Sequence, residues 1–172
     1  SFLTLEFAPI PFWLPEFSAT SVADSAFMNA LEDEEALEDG ELPMALECQQ
    51  GFHILVGIDD TENGVMSPCN VVLFRTHKGR RKYRSTLGAE TGAMSEGVNA
   101  AEMVRGHFAE VRLGRALVLR PAGYPAKTYE EDIRTVPMTA VTDCRSLYDC
   151  LAGVGKRPSE ARLALNIGAL KE

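Results

Sequence analysis

Long apolar runs are missing from this 172-residue chain, and so is the paired-cysteine spacing of zinc ribbons and redox motifs. Its opening, Ser1-Phe2-Leu3-Thr4-Leu5, carries no basic region, and Pro9, Pro11 and Pro15 soon interrupt it, so neither a signal peptide nor a membrane span is expected. Cys48, Cys69, Cys144 and Cys150 have neither C-x-x-C spacing nor the density of a disulfide framework. Reduced thiols in an intracellular protein, cytoplasmic or nuclear, are the expectation. His53, His77 and His107 lack metal-ligand spacing and read as structural or solvated. Gly153-x-Gly155-Lys156-Arg157 lacks the spacing of a phosphate-binding loop and reads as the end of a helix.

A basic excess is also missing, since the formal net charge is −8. That figure is local in origin: Glu32, Asp33, Glu34, Glu35, Glu38, Asp39 and Glu41 hold seven negative charges with no Lys or Arg between them, and removing those seven from −8 leaves −1. A run of this kind is most often a solvated loop or weak helix. The opposite sign gathers farther on, where Arg75, Lys78, Arg80, Arg81, Lys82 and Arg84 place six basic residues in ten positions, with Tyr83 inside the run and His77 beside it. The run reads either as a solvated strand-to-helix connection or as a set of phosphate contacts on an A-form-like duplex, which proteins recognise through its backbone more than its base edges. Its density in a chain otherwise near neutral favours phosphate contact.

What is present is one core's worth of apolar sequence, 45% of the residues, enough for a single domain over 17–172 behind a Pro-punctuated arm at 1–16. Strands are expected at 17–23, 51–58 and 70–74, the last two linked as a hairpin through the turn residues Asp59 to Gly64. Asp59-Asp60 ends the clearest strand but reads as part of that turn. A long helix over 85–112 starts at Ser85, a good N-cap, and carries Leu87, Met94, Ala101, Val104, Phe108 and Val111 on one stripe. Residues 116–119 read as a short extended or helical piece and 123–135 as a polar connection. A strand at 136–142 then delivers Asp143, followed by a helix with Leu147, Tyr148 and Leu151 and a last helix with Leu163, Ile167 and Leu170. Three strands, a helix, a strand and two helices make an α/β domain.

Glu90 lies on the apolar stripe of the long helix, three residues after Leu87 and four before Met94. An ionised carboxylate buried without a partner would rather take up a proton, so an inward Glu calls for a cation, a metal or a donor, unless it sits at an edge and reaches water. Asp24 and Asp143 supply company: each is placed at the end of a strand, and parallel neighbouring strands would bring their carboxyl ends together. Three carboxylates converging in a half-buried site would repel one another without a hard divalent cation, and oxygen-only ligation suits Mg²⁺ or Mn²⁺.

The ordered set Asp24-Ser25-Ala26-Phe27-x-Asn29, Gln50-Gly51-Phe52, Arg84-Ser85-Thr86-Leu87-x-Ala89-Glu90, Val141-Thr142-Asp143-Cys144-Arg145-Ser146-Leu147-Tyr148-Asp149 and Arg162-Leu163-x-Leu165-x-Ile167-x-Ala169-Leu170 resembles the ribonuclease H domain of copia-type LTR retrotransposon Pol polyproteins. The resemblance spans roughly residues 17 to 172. It implies an RNase H-like fold, a mixed sheet with three antiparallel strands and then a parallel one, flanked by helices. It also implies an endonuclease that cuts the RNA strand of an RNA–DNA hybrid, beside the reverse transcriptase domain of the same polyprotein. Asp24, Glu90 and Asp143 would then be the metal-binding and catalytic carboxylates, holding two Mg²⁺ or Mn²⁺ ions. Two departures stand against the family pattern: a further strand and a segment with a fourth acidic residue would follow the last helix, and a short turn would replace the acidic insertion at 32–41. The first predicts weaker metal binding and slow or absent catalysis, and the second predicts weaker hybrid binding at low salt. The alternative is a non-catalytic RNase H-like remnant that binds nucleic acid or packs against a polymerase.

Overall fold

Cys48, Gln50, Phe52, Ile54 and Val56 are buried while Gln49 and His53 are exposed, a period-two pattern that commits the segment to a strand with one face covered. The computed structural model describes residues 10, 16–27, 48–58, 68–79, 83, 85–114, 131–155 and 158–171. Within them run β1 (Phe17–Phe27), β2 (Cys48–Ile58), β3 (Cys69–Lys78), α1 (Thr86–Leu113), β4 (Met138–Val141), α2 (Arg145–Leu151) and α3 (Ala161–Lys171). The strands form one mixed sheet in the order β3-β2-β1-β4, with β1 parallel to β4. Gly51 lies against Arg75 and Thr76 while Gly57 lies against Pro68 and Cys69, so β2 and β3 run antiparallel. The α/β class and the order of the long elements match the expectation from sequence, while residues 131–133, read as part of a polar connection, are helical. No helix among the described residues is long and apolar enough to cross a membrane.

Boundaries differ from the sequence reading in ways that matter. β1 continues through Asp24 to Phe27, so Asp24 sits inside a strand and not at its end. β3 extends past Phe74 to Lys78 and takes Arg75, Thr76 and His77 into the sheet. Val111, assigned to the apolar stripe of α1, is 59% exposed near the end of that helix. Most of the arm at 1–16, the acidic insertion at 32–41, Asp59-Asp60, Arg80, Arg81, Lys82, Arg84 and the piece at 116–119 lie outside the described residues.

The chain divides into two compact units. The first comprises Ser1–Ser21, Ile54–Leu73 and Asn99–Thr139. Its core gathers Phe17, Ala19, Val56, Ala109 and Val136, with Ile10, Val104 and Phe108 packed against them. The Phe17 and Phe108 rings meet at 4.8 Å with a 54° tilt, a geometry in which an aromatic pair adds about 0.5–1.5 kcal/mol beyond area burial. Buried Arg105 is satisfied locally: its Nε donates to the Ile133 carbonyl at 3.1 Å and its Nη1 to Glu102 Oε1 at 3.1 Å. The Ala19 amide donates to the Pro137 carbonyl at 3.0 Å, which ties β1 to the segment entering β4.

The second unit comprises Val22–His53, Phe74–Val98 and Ala140–Glu172. Here Ala23, Cys48, Gln50, Phe52, Ala89, Ala93 and Met94 are buried. Helices α2 and α3 pack on each other, and Leu147, Cys150, Leu163 and Ile167 are their buried residues. Gly153 ends α2 at φ +77°, with the amides of Val154 and Gly155 donating back to the Asp149 carbonyl. The helix-ending reading of that glycine pair holds.

Candidate metal centre

Three elements of the second unit bring the centre together. Strand β1 carries Asp24 and Ser25 on successive positions near its end, and Ser25 Oγ donates to Glu90 Oε1 at 2.9 Å. Helix α1 carries Glu90 at its fifth residue, at the start of the second turn. Its start is fixed by Ser85, whose Oγ accepts from the Gly88 amide at 3.1 Å, the N-cap expected from the sequence. Asp143 follows β4 after Thr142. Its turn is closed by Thr142 Oγ1, which accepts from the Cys144 amide at 3.1 Å, before α2 begins at Arg145.

The result is a cluster in which one carboxylate oxygen from each of Asp24, Glu90 and Asp143 lies within 4.8 Å of the others. Asp24 and Asp143 are exposed, and Glu90 is 6% exposed. Burial pushes the Glu90 carboxyl above its ordinary range, the Ser25 hydrogen bond opposes that shift, and the charges of Asp24 and Asp143 add to it. Cys48 lies close enough for the Glu90 charge to reinforce what burial already does to its thiol, pushing it up and leaving it protonated and unreactive at neutral pH.

The donor set fits a cation. Oxygens around a Mg²⁺ ion with bonds near 2.1 Å stand about 3.0 Å apart when adjacent and about 4.2 Å apart when opposite, so three carboxylate oxygens within 4.8 Å of one another share one ion by closing in, adjacent pairs by at most about 1.8 Å. All three donors are oxygens, which suits a hard divalent ion over a soft one. The three residues selected from sequence are thus brought together. Of the six basic residues, Arg75 and Lys78 are exposed on β3, and the other four lie outside the described residues. Arg75 and Asp24 line one open cleft, together with Val22, Gln50, His53 and Phe74. The His53 and Phe74 rings stack there at 6.3 Å.

Three polar residues around the cluster were not singled out for a role from sequence alone. Ser25 is the partner of Glu90, and nothing in the sequence pattern marked it, since strand alternation would turn it away from the side that Asp24 faces. Gln50 is 2% exposed, and the alternation of Phe52 and Ile54 already placed it on the covered face. Tyr83 gave no signal beyond its place in a basic run. Comparison of the chain with family models, with curated proteins and with solved structures finds no match.

Proposed function

We propose that this chain is a ribonuclease H-type endonuclease module that hydrolyses the RNA strand of RNA–DNA hybrids, in keeping with its resemblance to copia-type Pol polyproteins. The observation that carries the reading is the convergence of Asp24, Glu90 and Asp143, one from a strand, one from a helix and one from the end of a strand parallel to the first. That parallel pair beside antiparallel β2 and β3 is the sheet arrangement the resemblance implies. Asp24, Glu90 and Asp143 would hold two Mg²⁺ or Mn²⁺ ions. When bound, such ions activate the attacking water and stabilise the leaving oxygen of an in-line phosphodiester displacement.

The chain's own groups have defined tasks in this reading. Glu90 must give up the proton that burial favours before it can ligate, and Ser25 eases that loss by donating to the carboxylate. Asp24 and Asp143 are exposed, which leaves their outer side open to a phosphodiester. Arg75, in the same cleft as Asp24, and Lys78 on the same strand would take neighbouring phosphates of the hybrid. A reverse transcriptase domain is the expected neighbour in the parent polyprotein.

The test is incubation with an end-labelled RNA–DNA hybrid and Mn²⁺, with Asp143→Asn as the matched control. Slow cleavage of the RNA strand is expected from the unaltered protein and a loss of at least about 100-fold in the variant, the scale on which charge-stabilising groups act in hydrolysis. Equal signals from both proteins would overturn the catalytic reading and leave a non-catalytic module that binds nucleic acid or packs against a polymerase.

A further inference from the structure

Directly behind Glu90, the second unit carries a buried polar contact that the three carboxylates do not account for. Gln50, 2% exposed on β2, uses its Nε2 twice, donating to the Ala89 carbonyl at 3.0 Å and to Tyr83 Oη at 3.2 Å. Ala89 immediately precedes Glu90, so the first bond attaches the backbone of α1 to the sheet next to the candidate ligand. A helix interior carbonyl is already engaged within its helix, and a second donor at this one is a specific tether, not a routine satisfaction of backbone.

The helix is shaped to receive that tether. Gly88 and Gly92 stand one turn apart and leave a notch. A Cβ at Gly88 would touch the Tyr83 ring at 3.4 Å, and one at Gly92 would collide with Tyr83 Oη and come within 2.6 Å of Gln50 Nε2. Two glycines in a long helix cost roughly 1 kcal/mol each relative to alanine, and the notch they form is what lets the tyrosine and the amide reach the helix. Met in place of Gln50 would match its length but could donate nothing, and Ala in place of Gly92 would push the amide off its carbonyl.

We propose that Gln50, seated by Tyr83 in the Gly88–Gly92 notch, is a positioning residue that holds the first turns of α1 so that Glu90 meets Asp24 and Asp143. The inference rests on the reading of those carboxylates as a metal centre, and its test separates the two. Hydrogen exchange measured without metal, in EDTA, reads the tether alone. Gln50→Met and Gly92→Ala are each expected to accelerate exchange in the first turns of α1 while leaving α2 and α3 unchanged. Mn²⁺ affinity, followed by the electron paramagnetic resonance of the free ion, reads the consequence: a loss of about tenfold or more in each variant, the scale on which groups that orient ligands act. The double variant is expected to bind Mn²⁺ no more weakly than the worse single one, because both changes break the same bond. Tyr83→Phe, which keeps the bond to Ala89, is expected to lose less than either.

Failure of the unaltered protein to bind Mn²⁺ would end the metal reading, and the exchange data would still decide the tether. Unchanged exchange at the start of α1 in Gln50→Met and Gly92→Ala overturns the inference. So does accelerated exchange with undiminished Mn²⁺ affinity, or a double variant whose two losses multiply.

Discussion

Glu90 is held between two opposing requirements. Its burial favours the protonated acid, and the charges of Asp24 and Asp143 push the same way, while a divalent ion would need it ionised. With its folded pKa above the unfolded value, the group contributes stability at acid pH, below the unfolded pKa near about 4.3. That contribution is lost as pH rises through the folded pKa, because the native state binds the proton more tightly than the unfolded one. Glu90→Gln keeps the shape and never ionises. In EDTA, the variant is therefore expected to gain in melting temperature over the parent as the pH is raised from 4 to 7. Divalent metal should reverse the order at neutral pH: a ligand at 100 times its dissociation constant adds about 2.7 kcal/mol to the parent, and little to a variant that binds poorly. A parallel pH dependence of the two melting curves would show that Glu90 is ionised freely in the fold.

At the level of elements, glycine decides where strands and helices can approach. At Gly57 in β2, a Cβ would stand 2.9 Å from the Pro68 carbonyl oxygen and 3.1 Å from Cys69 Cβ, both parts of the adjoining strand segment with no flexible end to move aside. Gly57→Ala is expected to destabilise by about 1–3 kcal/mol, read as a lower urea midpoint at constant m-value. Gly168 in α3 has open space around it, and Gly168→Ala is expected to stabilise by up to about 1 kcal/mol through helix propensity alone. The elements were legible in sequence where a local signal is clear. β2 alternates from Cys48 to Val56, and Ser85 caps α1 as its type predicts. Boundaries were less legible. β1 runs on through polar Asp24 and Ser25, and β3 through Arg75 to Lys78, because pairing with a neighbouring strand satisfies the backbone whatever the side chain. The carboxylates could be selected by position, but the Gln50 tether could not, since nothing in one strand's sequence tells which helical carbonyl lies opposite.

Over the whole molecule, charge is divided against itself. Seven acidic residues between Glu32 and Glu41 account for nearly all of the net −8, while the six basic residues from Arg75 to Arg84 are the chain's densest positive segment. Exposed charges act over a Debye length of about 10 Å at 0.1 M salt and about 30 Å at 0.01 M, so the acidic run should matter most when salt is low. Replacing those seven residues by Asn and Gln is expected to tighten hybrid binding at 10–20 mM salt and to change it little near 0.5 M, if that run repels phosphate. Replacing Arg80, Arg81 and Lys82 by Ala should act in the opposite sense, weakening binding and flattening its dependence on salt, since every phosphate left without its cation takes roughly one unit off the slope of log K against log salt. Fluorescence anisotropy of a labelled hybrid across a salt titration measures both slopes. Neutralising the acidic run leaves the basic side chains on their phosphates, so the slope they produce should survive in that variant. An unchanged slope in the basic variant would instead assign those residues to a solvated connection.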